Sequence, residues 1–251
     1  MSHLLTDTGI VAGRYIRQTL AARAGLLFGA LQPLVFLVFF GPLLQDVDLG
    51  GRGDSWQTLV PGLLVQLCLF SSTFAGFTLL IEKHHGVVER MRVTPVSRLA
   101  LLLGRLVRDV LQLFAQSLLL LVAALAFGLR APVAGVLIAF GLLGLLAAAL
   151  ASLSYALAMR VSSPQEFAPV ISSLNMPATL LSGILLPMTL APGWLDAVSR
   201  CVPFRYVVDG VRDAFTGHYA GGPLALGAAV AAALAALALG LGTQVFRKAN
   251  A

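Results

Sequence analysis

Few side chains in this sequence are of types that do chemistry, and their spacing excludes more reactions than it permits. His84 and His85 are adjacent, and neighbours on a helix point about 100° apart, so they lack the chelating face of histidines four residues apart. No H-E-x-x-H or other metal-ligand pattern accompanies them, and they read as solvated loop residues. The only lysines are Lys83 after Glu82 and Lys248 after Arg247. The G-x-x-x-x-G-K-[ST] loop that cradles nucleotide phosphates therefore cannot occur. No nucleophile is paired with a base as an intramembrane hydrolase requires. The chain is expected to be non-catalytic and to bind no cofactor or metal. Any ATP-driven step belongs to another polypeptide.

What the charged residues can do is transmit force. They concentrate in one segment, with Glu82, Glu89, Arg90, Arg92 and Arg98 close together. Gly86 can interrupt a helix, and Thr94 followed by Pro95 makes a good N-cap and first helical residue. Residues 87–93 can form a short helix exposing Glu89, Arg90 and Arg92. Tied at both ends to long helices, such a piece can carry rigid-body motion; the plain alternative is an inert basic connector.

A second segment combines Gly183 and Pro187 with Pro192, Trp194, Pro203, Tyr206 and Arg212. Pro192 and Pro203 divide it into pieces too short to cross a bilayer, while Trp194 and Tyr206 suit a headgroup boundary. A re-entrant hairpin in the outer leaflet is expected, since irregular backbone survives at depth only when covered. The alternative is a loop lying on the surface.

The elements that must position these segments are membrane helices. Of 251 residues, 58% are hydrophobic and 11% charged, and mean hydropathy is +0.90. A soluble surface needs about twice that charge. Six stretches can span: about 24–45, 57–81, 109–129, 133–158, 168–189 and 223–246, each near the ~20 residues a crossing needs. The fold class is an all-α membrane protein of six transmembrane helices in one transmembrane domain, 1–251.

With the N-terminus inside, twelve of the 17 Lys and Arg residues face the cytoplasm and five face out. Both termini are then cytoplasmic. The same bias explains the net charge of +6 without nucleic acid as a partner. No cleavable signal peptide is evident, and Cys68 and Cys201 sit too differently to pair. Residues 9–23, with Arg14, Tyr15 and Arg17, can form an amphipathic interfacial helix against membrane lipid; an ordinary basic flank is the alternative.

The span interiors are read as free of deep ionisable groups, with Arg108, Asp109 and Arg160 at span ends. That argues against an ion-coupled transporter. The polar lining is sparse: Gln32, Gln66, Gln112, Gln116 and Asn175, with Gln112 and Gln116 on one helical face. These residues mark a substrate pathway or, more plainly, bonds between helices.

The charged segment resembles that of the ABC-2 family of exporter permeases, including the daunorubicin-resistance type, with the pattern E-x-x-x-G-T-x-E-x-L-x-x-T-P-v-s-R and a later L-G-K. Matching positions are Glu82, Gly86, Glu89, Thr94, Pro95, Ser97, Arg98 and Gly104. Val87 replaces the Thr, Met91 the Leu and Arg105 the Lys, so one hydroxyl is lost and the last charge kept. The second segment is similar to the family's s-G-x-x-x-P, l-P-x-W-L and x-P-f-x-Y. The resemblance implies a cytoplasmic coupling helix, two separate ABC ATP-binding subunits carrying ATP and Mg, and a second permease chain, identical or paralogous. It implies export across a prokaryotic inner membrane. An apolar interior favours a drug, antibiotic or lipid-like cargo, with polysaccharide, glycolipid or ion export as alternatives. An ATP-independent transporter or membrane enzyme is the reading from another class.

Overall fold

The structure, a computed structural model, describes Gly13 and residues 23–44, 54–85, 98–161, 163–185 and 187–248. The expected interfacial helix (Arg14, Tyr15, Arg17) and most of the expected coupling segment (Gly86, Glu89, Arg90, Arg92, Thr94, Pro95) lie outside the described residues. Every regular element among the described residues is helical.

Helix α1 covers Arg23–Leu44 and continues through Pro33 and Pro42. Leu31, Val35, Phe39 and Leu43 are exposed along it, as on a helix that meets lipid instead of water. Helix α2, Ser55–Thr73, starts in a capping box. The Asp54 side chain accepts from the Ser55 backbone N–H at 2.8 Å, and the Gln57 side chain accepts from the Asp54 N–H at 3.3 Å. Both satisfy helix-end donors that would otherwise be unpaired. After a break at Phe74, α3 runs from Ala75 to His84.

Helix α4 spans Arg98–Ala126. The chain turns at Gly128, whose φ of 106° requires glycine. Helix α5 spans Val133–Arg160. Helix α6, Pro164–Leu181, begins where the Ser163 hydroxyl accepts from the Glu166 N–H at 3.3 Å, with Pro164 in the first turn. A 3-10 turn, Met188–Leu190, leads to the short helices α7 (Gly193–Ser199) and α8 (Pro203–Phe215). Helix α9 covers Gly222–Lys248.

Among the described residues, four stretches are long and apolar enough to cross a membrane: Ser55–His84, Leu102–Ala126, Val133–Arg160 and Gly222–Gln244. The apolar part of α1, Gly29–Leu44, is shorter. Helix α6 is not among the four, being diluted by Gln165, Glu166, Asn175 and three prolines. Helix α4 starts well before the expected third stretch, so Arg105, Arg108 and Asp109 stand on the same continuous helix as its apolar run. The fifth helix stops at Leu181 instead of reaching Thr189, because the chain turns through Ser182 into Gly183 at φ 69°.

Helix α5 is the hub, packing against α2, α3, α4, α8 and α9. Two apolar clusters share it. One gathers Trp56, Leu63, Leu143, Val211 and Phe215; the other gathers Leu79, Leu102, Leu106, Tyr155 and Phe167. The α5–α9 contact is built on small residues, Ala149 against Ala235 and Ala238 and Ser152 beside Gly242. Small side chains permit the close approach that drives association in lipid.

Candidate functional site

The last turn of α3 and the early turns of α4 carry one polar network. The Arg105 guanidinium meets the Glu82 carboxylate at 2.5 Å. One turn along α4, Arg108 pairs with Asp109 at 2.9 Å. Asp109 also accepts a hydrogen bond from the Tyr155 hydroxyl of α5. Arg105, Asp109 and Tyr155 are all buried, and a charge in this position is tolerable only when paired. Three helices are thereby joined through charge. Reading Asp109 from the sequence as a span-end charge misses its burial, together with Arg105, between helices. The available signal was the spacing: Arg105 and Asp109 are four apart and share a helical face.

Beside the Arg108–Asp109 pair lies a cavity of about 280 Å³, with Phe70, Phe74, Arg108, Asp109, Gln112 and Gln116 in its wall. Arg108, Gln112 and Gln116 recur every four residues, so one stripe of α4 supplies its polar side. The five amides expected along a pathway do not assemble there. Gln112 and Gln116 line the cavity. Asn175 is buried and donates to the Thr73 hydroxyl at 2.8 Å. Gln66 is buried in α2 with its side-chain oxygen unpartnered. Gln32 is exposed on α1.

The second predicted segment folds as a compact unit at the opposite end of α2. Arg212 of α8 donates to the carbonyls of Thr58 at 3.2 Å, Gly183 at 2.8 Å and Ile184 at 3.2 Å. One planar fork thus ties α8, α2 and the turn after α6. Tyr206 donates its hydroxyl proton to the Arg200 carbonyl at 2.9 Å. Asp196 meets Arg200 and Arg205, each at 2.6 Å. Hydrogen bonds from Arg200 and then Arg205 hold its carboxyl below the ordinary aspartate range.

Pro187 precedes the 3-10 turn, Pro192 precedes α7 and Pro203 opens α8. Trp194 is 70% exposed. Val207, Val208, Val211, Ala214 and Phe215 are buried, so α8 does not lie loosely on the surface. Glycines permit the contact. A Cβ on Gly62 would overlap the Ile184 carbonyl oxygen, and one on Gly135 the Ala214 carbonyl oxygen. Where α6 meets this unit, an apolar cavity of about 290 Å³ is bounded by Leu180, Gly183, Leu185, Pro187 and Leu195.

Among the described residues no three His, Cys, Asp or Glu side chains group to hold a metal. His84 and His85 are exposed, Cys68 is buried and Cys201 exposed, both as free thiols.

Comparison with known proteins connects these features to a family. Residues 6–216 match the family model described as ABC-2 type transporter. A daunorubicin resistance ABC transporter permease protein, DrrB1 of Streptomyces coeruleorubidus, is 26% identical over 88% of this chain and 79% of its own length. A protein named as a transport permease, ycf38 of Cyanophora paradoxa, is 27% identical over 74% of this chain, which spans 66% of that relative's length. A Mycobacterium tuberculosis protein named for doxorubicin resistance, DrrC, is 24% identical over 76% of this chain and 69% of its own.

Proposed function

Because the chain belongs to the ABC-2 type transporter family, we propose that it is the transmembrane permease of an exporter whose ATP is hydrolysed on a separate subunit. Two permease chains, identical or paralogous, dock on two ATP-binding subunits that hold the ATP and Mg. The assembly sits in a prokaryotic inner membrane, and α1 and α6 complete six crossings with both termini inside. The basic residues gathered around 82–108 support that orientation.

The observation that carries the mechanical part is the Glu82–Arg105 contact. It joins the two ends of the charged segment, so a push on Gly86–Arg92 moves α3 and α4 together. Asp109 and Tyr155 then pass that motion to α5. Closure of the ATP-binding subunits supplies the push, and the helices alternate between an inward cleft and an outward opening. The segment between α6 and α9 acts as a re-entrant hairpin that covers the outer end.

The cavity beside Arg108 and Asp109, with Phe70 and Phe74 facing a polar stripe, suits the access of an amphipathic cargo. The relatives named for daunorubicin and doxorubicin resistance favour a drug or lipid-like molecule over a sugar. A cysteine placed at Glu89 on a Cys201→Ser background tests the arrangement. It should react with a membrane-impermeant thiol reagent only from the cytoplasmic side and cross-link to the ATP-binding subunit. Labelling from outside would overturn both orientation and coupling.

A further inference from the structure

Helix α2 ends at Thr73 and α3 begins at Ala75, with Phe74 between them at φ −83° and ψ −2°. The break has local causes. The Thr73 hydroxyl donates back to the Leu69 carbonyl at 2.5 Å, a bond that bends helices. Gly76 follows, and small Gly and Ser positions are where kinks arise.

The consequence is a displaced N–H at Gly76 and a displaced carbonyl at Thr73. In an unbroken helix the Gly76 N–H would reach the Ser72 carbonyl. Here it donates to the Ser154 hydroxyl oxygen of α5 at 2.8 Å. The Phe77 N–H turns to the Phe74 carbonyl at 3.0 Å, and the Thr73 carbonyl takes its hydrogen from the Ser154 hydroxyl instead. One side chain therefore serves both groups, inside a stretch apolar enough to cross a membrane, where water cannot replace it.

Contacts around the break press it into place. A Cβ on Gly76 would overlap the Ser154 carbonyl oxygen, so α3 and α5 touch through backbone. From α6, Asn175 donates to the Thr73 hydroxyl at 2.8 Å. The break also falls on the seam between the two apolar clusters, with Leu69 in one and Ala75 in the other. Phe70, Phe74 and Thr78 line the cavity beside Arg108 and Asp109.

We infer that the Phe74 break is a hinge and that Ser154 is the positioning residue that holds it bent. The inference rests on the proposal that force enters through the charged segment, because Glu82 sits on the moving half. Two arrangements are available. In the bent one, Ser154 bridges Gly76 and Thr73. In the straight one, Gly76 and Phe77 recover their helical acceptors and Ser154 bonds the Leu150 carbonyl in its own helix, as helical serines do. Straightening swings α3 and widens or narrows the cavity wall between Phe74 and Arg108.

Spin labels at His85→Cys and Arg160→Cys, on a Cys201→Ser background, report this swing in the complex with its ATP-binding subunits. Helix α3 has 10 residues, an arm of about 15 Å, so a change of roughly 20° displaces its end by about 5 Å. In the wild type, ATP with vanadate should shift the distance by that order. Ser154→Ala should show the shifted distance without nucleotide, and Ser154→Thr, which keeps the hydroxyl, should restore the original one. Thr73→Val, which leaves Ser154 in place but removes the bend-inducing hydroxyl, should shift the distance in the same direction as Ser154→Ala. Nucleotide-free distances in Ser154→Ala and Thr73→Val equal to the wild type's would overturn the hinge. A wild type that ignores nucleotide, while Ser154→Ala is still shifted, would instead overturn the stroke and leave the hinge standing.

Discussion

Glu82 and Arg105 stand 23 residues apart in the chain, yet their charged groups meet at 2.5 Å. The pair closes a loop whose intervening residues carry five more charged side chains before α4 is two turns old. Its consequence is mechanical: the ends of α3 and α4 cannot part without exposing a buried guanidinium. Replacing Glu82 by Gln or Arg105 by Gln should lower stability in detergent by about 2 kcal/mol, the usual worth of a hydrogen bond to a charged group. The exchange Glu82→Arg with Arg105→Glu should recover most of the loss. Thermal unfolding of the three proteins measures this. Equal losses in the single variants and the exchange would show that the pair is not a unit.

Gly62 gives a prediction whose sign opposes helix propensity. In an exposed helix, Gly→Ala gains up to about 1 kcal/mol. Gly62 faces the Ile184 carbonyl, so Gly62→Ala should instead destabilise by about 1–3 kcal/mol through overpacking. Midpoints of thermal unfolding decide the sign, and a rise would mean that α2 and the turn after α6 are not in contact.

Arg212 makes three carbonyl contacts that an ammonium cannot reproduce with one fork. Arg212→Lys keeps the charge and should still cost about 1–2 kcal/mol; Arg212→Met should cost about 3 kcal/mol or more, because three carbonyls lose their donor. Protease accessibility of the α6–α8 segment should rise in the same order. Wild-type accessibility in the Lys variant, with a rise only in the Met variant, would reduce Arg212 to a charge.

The sequence made the helices legible through composition. Apolar runs alone locate them, while the caps at Asp54 with Gln57 and Ser163 with Pro164 become visible in the structure. The charged segment and the proline-divided segment also stand out, because glycine, proline and charge punctuate an otherwise apolar chain. What could not be read depends on distant partners. Asp109 reads as a lone charge at the end of a span, and its burial depends on Tyr155, 46 residues on. The break at Phe74 depends on Ser154, 78 residues from Gly76. The polar residues were visible as a set, but only helix packing decides that Gln112 and Gln116 face a cavity while Asn175 braces α2.

Asp196 supplies a pH dependence. Its hydrogen bonds to Arg200 and Arg205 lower its folded pKa, so its stabilising contribution is present above the unfolded value of about 3.9 and is lost as pH falls through the lower folded value. Asp196→Asn should therefore be less stable than the wild type near neutral pH, with the difference vanishing in stronger acid. Unfolding midpoints of both proteins across that range test it, and a gap that widens in acid would reverse the assignment.

In the proposed assembly, energy enters on the ATP-binding subunits. Proteoliposomes holding this chain alone, its ATP-binding subunit alone, or both together allow vanadate-sensitive ATP hydrolysis and ATP-driven transport of a panel of amphipathic compounds to be followed side by side. Transport and permease-stimulated hydrolysis should appear only with both components present, and Glu89→Ala combined with Arg92→Ala should abolish the transport while leaving the ATP-binding subunit intact. ATP hydrolysis or pumping by the purified chain alone would contradict the account directly.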